Sequence, residues 1–143
     1  MSNPLYGQNK YDANVGFKIN PGVPQAAIGG TGTLTIAMIL KQILEEDPAG
    51  AATWTLPTAA LAVAGVEGAE AGDCLEFYVI NTDATNDVAI TIAAGTGGTL
   101  VGNMEVESPE TTAEKISSGS GVFRFRFTNV TSGSEAYTVY RLA

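Results

Sequence analysis

The clearest pattern along this chain is a strict alternation over residues 122–128, where Phe123, Phe125 and Phe127 take one side and Val122, Arg124 and Arg126 take the other. A period of two predicts a strand with one buried face. After turn residues at 131–135, Ala136 to Leu142 reads as a returning last strand. Asp73 to Asn81 repeats the alternation with Leu75, Phe77 and Val79, and Val88 to Ala94 does so with Val88, Ile90 and Ile92. The connector at 82–87 (TDATND) reads as a hairpin loop between these two. Gly95 to Gly98 reads as a turn, Thr99 to Val101 as a short strand, and Ala52 to Leu56 as a strand stopped by Pro57.

Two segments carry a helical period instead. From Leu34 to Glu46, the residues Ile36, Ile39, Leu40, Ile43 and Leu44 recur on one helical face. Thr33 or Thr35 is placed to cap the start, and Pro48 and Gly50 close the segment. Thr58 to Val66 predicts a smaller helix with Thr58 as its N-cap and Gly65 and Gly68 beyond its end. Short strands with Gly-rich turns and little helix predict a mainly β fold. The expectation is an antiparallel β-sandwich or barrel, jelly-roll-like, with one or two short helices.

Residues 1–33 break both patterns. Pro4, Pro21 and Pro24 interrupt helices and ladders, and Gly7, Gly16, Gly22, Gly29 and Gly30 add freedom. The segment still carries Leu5, Tyr6, Tyr11, Val15, Phe17, Ile19 and Ile28, residues that disordered tails generally lack. It therefore reads as an extended N-terminal arm that either docks on another surface or wraps its own body. Residues 34–143 then form a single β-rich domain, as a chain of 143 residues allows.

Composition narrows the chemistry. There is no histidine and one cysteine, Cys74, which stands in an apolar run and is expected to be a small buried hydrophobe. A single cysteine makes no internal disulfide. The formal charge is −8, and no basic residue lies between Lys41 and Lys115, a span holding thirteen carboxylates. Such an acidic centre repels phosphate backbones and anionic lipid heads, so neither nucleic acid nor membrane is an expected partner. The first ten residues (MSNPLYGQNK) contain no apolar signal core, and no apolar run reaches the length of a bilayer span.

The remaining constellations give bland readings. Glu67 and Glu70, and Glu105 and Glu107, are paired carboxylates without a neighbouring His, Lys or Tyr, and read as solvated loop acids. Asp83, Asn86 and Asp87 offer oxygen ligands within five residues, but lack the ligand count and glycine of an EF-hand and match an Asx-rich turn. Gly95 to Gly98 has no following helix or Lys-Ser/Thr to cradle phosphate. Asn129-Val130-Thr131 forms a sequon that reads as a strand end. Arg124 and Arg126 share a strand face, placed to pair with the acidic segment of the same chain or a neighbour. No enzyme, metal or cofactor is expected.

Four blocks then form a familiar combination: WTLPTAAL at 54–61, GDCLEFYVIN at 72–81, GTLVG at 98–102 and FRFRFTNVTSGSEA at 123–136. Over about residues 31–143 the chain resembles the head decoration, or capsid cement, proteins of tailed bacteriophages. The resemblance implies a virion structural protein made in a host cytoplasm. It would bind the outer capsid surface after expansion and stabilise the head as a homo-trimer bridging major capsid protein subunits. The capsid-contact candidates in the arm are Leu5, Tyr6, Tyr11, Phe17 and Ile19. The alternative expectation is a phage tail, fibre or host-attachment module with a carbohydrate-binding β domain.

Overall fold

A computed structural model describes residues 28–111 and 116–143. Its strands are β1 (Gly32–Thr33), β2 (Ile43–Glu46), β3 (Ala52–Thr55), β4 (Cys74–Asn81), β5 (Ile90–Ala93), β6 (Gly98–Val101) and β7 (Glu105–Val106). They continue with β8 (Pro109–Thr111), β9 (Ile116–Ser118), β10 (Ser120–Asn129) and β11 (Ala136–Arg141). Two short helices, α1 (Ile36–Ile39) and α2 (Ala59–Ala64), interrupt them. The smaller sheet has the order β1-β3-β5-β7, the larger β2-β4-β10-β11-β6, and β8-β9 form a separate pair. The fold is thus mainly β, a two-sheet sandwich.

From β1 to β7 the chain changes sheet at every step, because odd strands belong to the smaller sheet and even strands to the larger. In the first part of this path a strand reached after one visit to the other sheet runs parallel to its predecessor: β1 with β3, β3 with β5, and β2 with β4. The distant pair β11 with β6 is also parallel. The expected antiparallel pairing holds in the β4-β10-β11 centre and for β5 with β7. The TDATND segment is consequently not a hairpin loop but a crossing from β4 in one sheet to β5 in the other.

The period-two faces pack where the sequence places them. Phe77, Val79, Phe123, Phe125, Phe127, Tyr137 and Val139 line the inner side of the larger sheet, opposite Ala52, Trp54, Ile90, Ile92 and Val106. Phe77 and Phe123, cross-strand partners, stack at 5.3 Å between centroids, and Phe125 stacks on Tyr137 at 4.3 Å. Phe127 meets Phe125 edge-on at 5.2 Å. Such pairs add about 0.5–1.5 kcal/mol each beyond area burial.

The helix expected over Leu34 to Glu46 is a single turn, Ile36–Ile39, with Thr35 as N-cap accepting from the Met38 N–H. Gln42 then adopts φ 69°, and Ile43–Glu46 becomes a strand on β4 with Tyr78 N–H donating to Gln42 O at 2.7 Å. Two short patterns mimicked one long one: Ile36 and Ile39 bury at a helical spacing, Leu44 and Glu46 at a strand spacing. Leu40, assigned to the buried helical face, is 40% exposed. The second helix forms as expected, with the Leu61 N–H bonded to Thr58 Oγ1.

The Gly95–Gly98 turn closes one end of the sandwich. Tyr137 Oη donates to Pro57 O at 2.9 Å and accepts from Gly95 N–H at 3.0 Å, tying the two sheets together. Burial raises the Tyr137 pKa, the Gly95 bond partly opposing it. Gly97 has φ +82°, and a Cβ there would lie 2.8 Å from Glu135 O, so the turn requires glycine. Tyr137→Phe removes both hydroxyl bonds and leaves a buried carbonyl without its donor. We expect a loss of about 1–3 kcal/mol in urea unfolding with an unchanged m-value.

Candidate interaction surface

The arm's root is the first candidate element, and it is fixed by a side chain that sequence reasoning passed over. Glu46 points inward from β2 and is 5% exposed. Its carboxylate accepts from Ile28 N–H at 2.6 Å, from Gly29 N–H at 3.0 and 3.1 Å, and from Gly30 N–H at 3.1 Å. Three consecutive amides converge on one anion, a charge-assisted clamp. Gly30 O in turn accepts from Trp54 Nε1 at 3.0 Å. The chain therefore enters the body at a fixed point beside β2, an edge strand of the larger sheet. Leu5, Tyr6, Tyr11, Phe17 and Ile19, the capsid-contact candidates, lie outside the described residues.

The second element is the outward side of the larger sheet. Register aligns Ile43, Tyr78 and Val122 across three strands, and Leu142 continues the row by donating its N–H to Val122 O at 2.8 Å. The next row carries Glu76, Arg124, Tyr140 and Val101. Tyr78, Val101 and Leu142 are 42%, 46% and 48% exposed, large apolar side chains on one continuous face. A cavity of about 350 Å³ opens there, lined by Lys41, Gln42, Ile43, Tyr78, Ile80 and Val122 among others.

This face also gathers cations. Arg124 pairs with Glu76 through Nε and Nη2, and that carboxylate raises the Arg124 pKa. Arg126 stands opposite Cys74 in the next row and has no ion-pair partner among the described residues. Cys74 itself is exposed, which corrects its expected burial. The alternation that buries Phe77 and Val79 necessarily turns Cys74, Glu76 and Tyr78 outward. Arg141 behaves differently. It lies over the Phe123 ring at 5.0 Å and donates to Glu105 O at 2.8 Å, and burial lowers its pKa.

The oxygen-rich crossing loop serves the fold. Asp83 accepts from the N–H groups of Thr85 at 3.0 Å, Asn86 at 2.9 Å and Val88 at 3.1 Å, and from Asn86 Nδ2 at 3.2 Å. These donors, Thr85 first, hold its pKa down to about 2 against the opposing effect of desolvation. Ser108 Oγ donates to Asp87 Oδ1 at 3.0 Å. The carboxylate oxygens of Asp83 thus face the loop's own amides, the Asx-turn reading. Glu67, Glu70 and Glu105 are exposed and Glu107 half-buried, and no three His, Cys, Asp or Glu side chains gather as a metal cage among the described residues.

Two expectations follow. Glu46→Ala leaves three amides without their acceptor and lowers stability by about 2 kcal/mol, with faster hydrogen exchange at Ile28, Gly29 and Gly30. Asp83 has a depressed pKa in the folded state, so its contribution is complete above its ordinary value of 3.8 and fades as pH falls toward about 2. Denaturant titrations should show wild type more stable than Asp83→Asn at pH 7, with the gap narrowing through that acid window. The chain matches no family model, and no curated protein and no solved structure matches it.

Proposed function

We propose that this chain is a virion structural protein of the decoration, or cement, kind, acting by contact rather than by turnover. It attaches to the outer surface of a phage capsid as a trimer, bridges major capsid protein subunits and stabilises the head. The observation that carries the reading is the clamped arm root. A segment of 27 residues carrying Leu5, Tyr6, Tyr11, Phe17 and Ile19 is joined to a two-sheet body at a point held by Glu46. The block resemblance over residues 31–143 supports the same assignment.

The physics of such an attachment is straightforward. Ordering an arm costs about 1–2 kcal/mol per residue in backbone entropy. Leu5, Tyr6, Tyr11, Phe17 and Ile19 offset that by burying apolar area, each large side chain contributing about 1.5–3 kcal/mol. A fixed root removes one end's freedom beforehand, and three arms on one trimer raise the effective concentration of each. An extended arm also suits strand addition to an exposed sheet edge of a capsid subunit.

The test is co-sedimentation with expanded empty capsids. A chain lacking residues 1–26 keeps Ile28–Gly30 on Glu46, and we expect it to fold with an unchanged circular dichroism spectrum. Its capsid binding should fall to background while the full chain binds. Wild-type binding by the truncated chain would overturn the arm's role, and failure of the full chain to bind would overturn the assignment.

A further inference from the structure

Charge is divided sharply between the outward face of the larger sheet and the rest of the described surface. Lys41, Arg124 and Arg126 all lie on or beside that face, accompanied there only by Glu45 and Glu76. The other cation among the described residues, Arg141, is turned toward the Phe123 ring. Elsewhere the body carries Asp47, Glu67, Glu70, Asp73, Asp87, Glu105, Glu107 and Glu135. One acidic stretch also follows an exposed apolar residue along the chain. Leu61, on the exposed side of α2, is 64% exposed and is followed by exposed Glu67, Glu70 and Asp73.

The geometry points to these two regions as the two halves of one contact between copies of this chain. Leu61 of one copy seats in the cavity bounded by Ile43, Tyr78 and Val122 of the next, and Glu67 and Glu70 face Arg126 and Lys41. A leucine side chain fits an opening of about 350 Å³. The pairing deepens the trimeric part of the function proposed above, and rests on that reading only for the number three.

Two arguments select this occupant. Face-on-face docking of two larger sheets would bring together two faces on which the cations Lys41, Arg124 and Arg126 outnumber the carboxylates Glu45 and Glu76, which like-charge repulsion disfavours. The acidic surface of the same chain has the complementary sign. The contact is then heterologous, and such contacts either close into rings or run on as filaments. Here the two patches meet at one end of the sheet. Gly72 N–H donates to Phe127 O at 2.8 Å and Phe127 N–H to Asp73 O at 2.9 Å, so the acidic loop borders the Arg126 end of the face. Patches on adjoining sides turn each copy relative to the last, and the contact closes into a ring when that rotation divides a full turn.

Sedimentation equilibrium of the full chain, without capsids, tests this. We expect wild type to form a discrete oligomer whose dissociation constant rises with salt. Leu61→Ser should raise that constant about tenfold, as loss of a buried leucine implies. Arg126→Glu and Glu70→Lys should each weaken association, and the double variant should recover it. All are exposed positions, and unchanged far-ultraviolet circular dichroism spectra would confirm folded chains. A monomeric wild type at high micromolar concentration overturns the inference, as does an oligomer whose mass ignores these substitutions. If the isolated chain is monomeric while Leu61→Ser or Arg126→Glu loses capsid binding, the face belongs to the capsid contact. That result overturns self-docking and leaves the decoration reading standing.

Discussion

Everything in this fold depends on one packing constraint: a chain that changes sheet at each step from β1 to β7 must present its apolar side to the opposite sheet each time. The aromatic row Phe77, Phe123, Phe125 and Tyr137 supplies that surface on the larger sheet, and Trp54 with Ile90 and Ile92 supplies it on the smaller. Interiors pack at crystal-like density, so neither face is free to slide by one residue. A one-residue slip in β10 would expose three phenylalanines and bury Arg124 and Arg126. Register, and with it the composition of the outward face, follows from the core.

Crossing between sheets creates loops whose backbone groups lack ladder partners, and the buried polar side chains are found there. Asn81 Nδ2 donates to Val88 O at 2.7 Å and Val106 O at 3.1 Å, and its Oδ1 accepts from Asp83 N–H at 3.0 Å. Asp83 continues the network into the loop after β4, and Ser108 Oγ donates to Asp87 later in the same loop. Glu46 does the same for the entering chain at Ile28. Buried polar groups persist where each is satisfied, and these four stitch irregular backbone to the sheets.

Much of this was legible in the sequence. Alternation located β4, β10 and β11 and assigned their buried faces, because a period of two is a direct image of a half-buried strand. The cap at Thr58 was legible because its side-chain oxygen acts locally. What failed was everything set by topology. TDATND has the residues of a tight turn, and the same Asx chemistry serves a crossing as well as a hairpin. The long helix failed because apolar residues at Ile36, Ile39 and Leu44 satisfy a 3.6 period while the reversal at Gln42 leaves no glycine as a signal. Cys74 was judged by its neighbours' hydrophobicity, although its own alternation with Phe77 already placed it outward. Glu46 gave no signal, since its partners are backbone amides. The outward apolar row needed the register between β2, β4 and β10, which no single segment contains.

The charge division bears on what such a surface does. A body with net negative charge repels its own copies at long range, and screening at physiological salt confines that repulsion to about 8 Å. Within that range Arg126 and Lys41 favour only approaches that bring carboxylates to the larger sheet. Charges arranged in this way select orientation and rate more than they add affinity. Affinity at such a face would come from the apolar row between them, since Tyr78, Val122 and Leu142 still have exposed area to bury. A surface that reads orientation with its rim and holds with its centre is suited to fixed assembly. The root that Glu46 holds at Ile28–Gly30 lies on the opposite side of β2's backbone from this row. Sheet register thus sets the outward face, while a buried carboxylate sets where the chain enters the body.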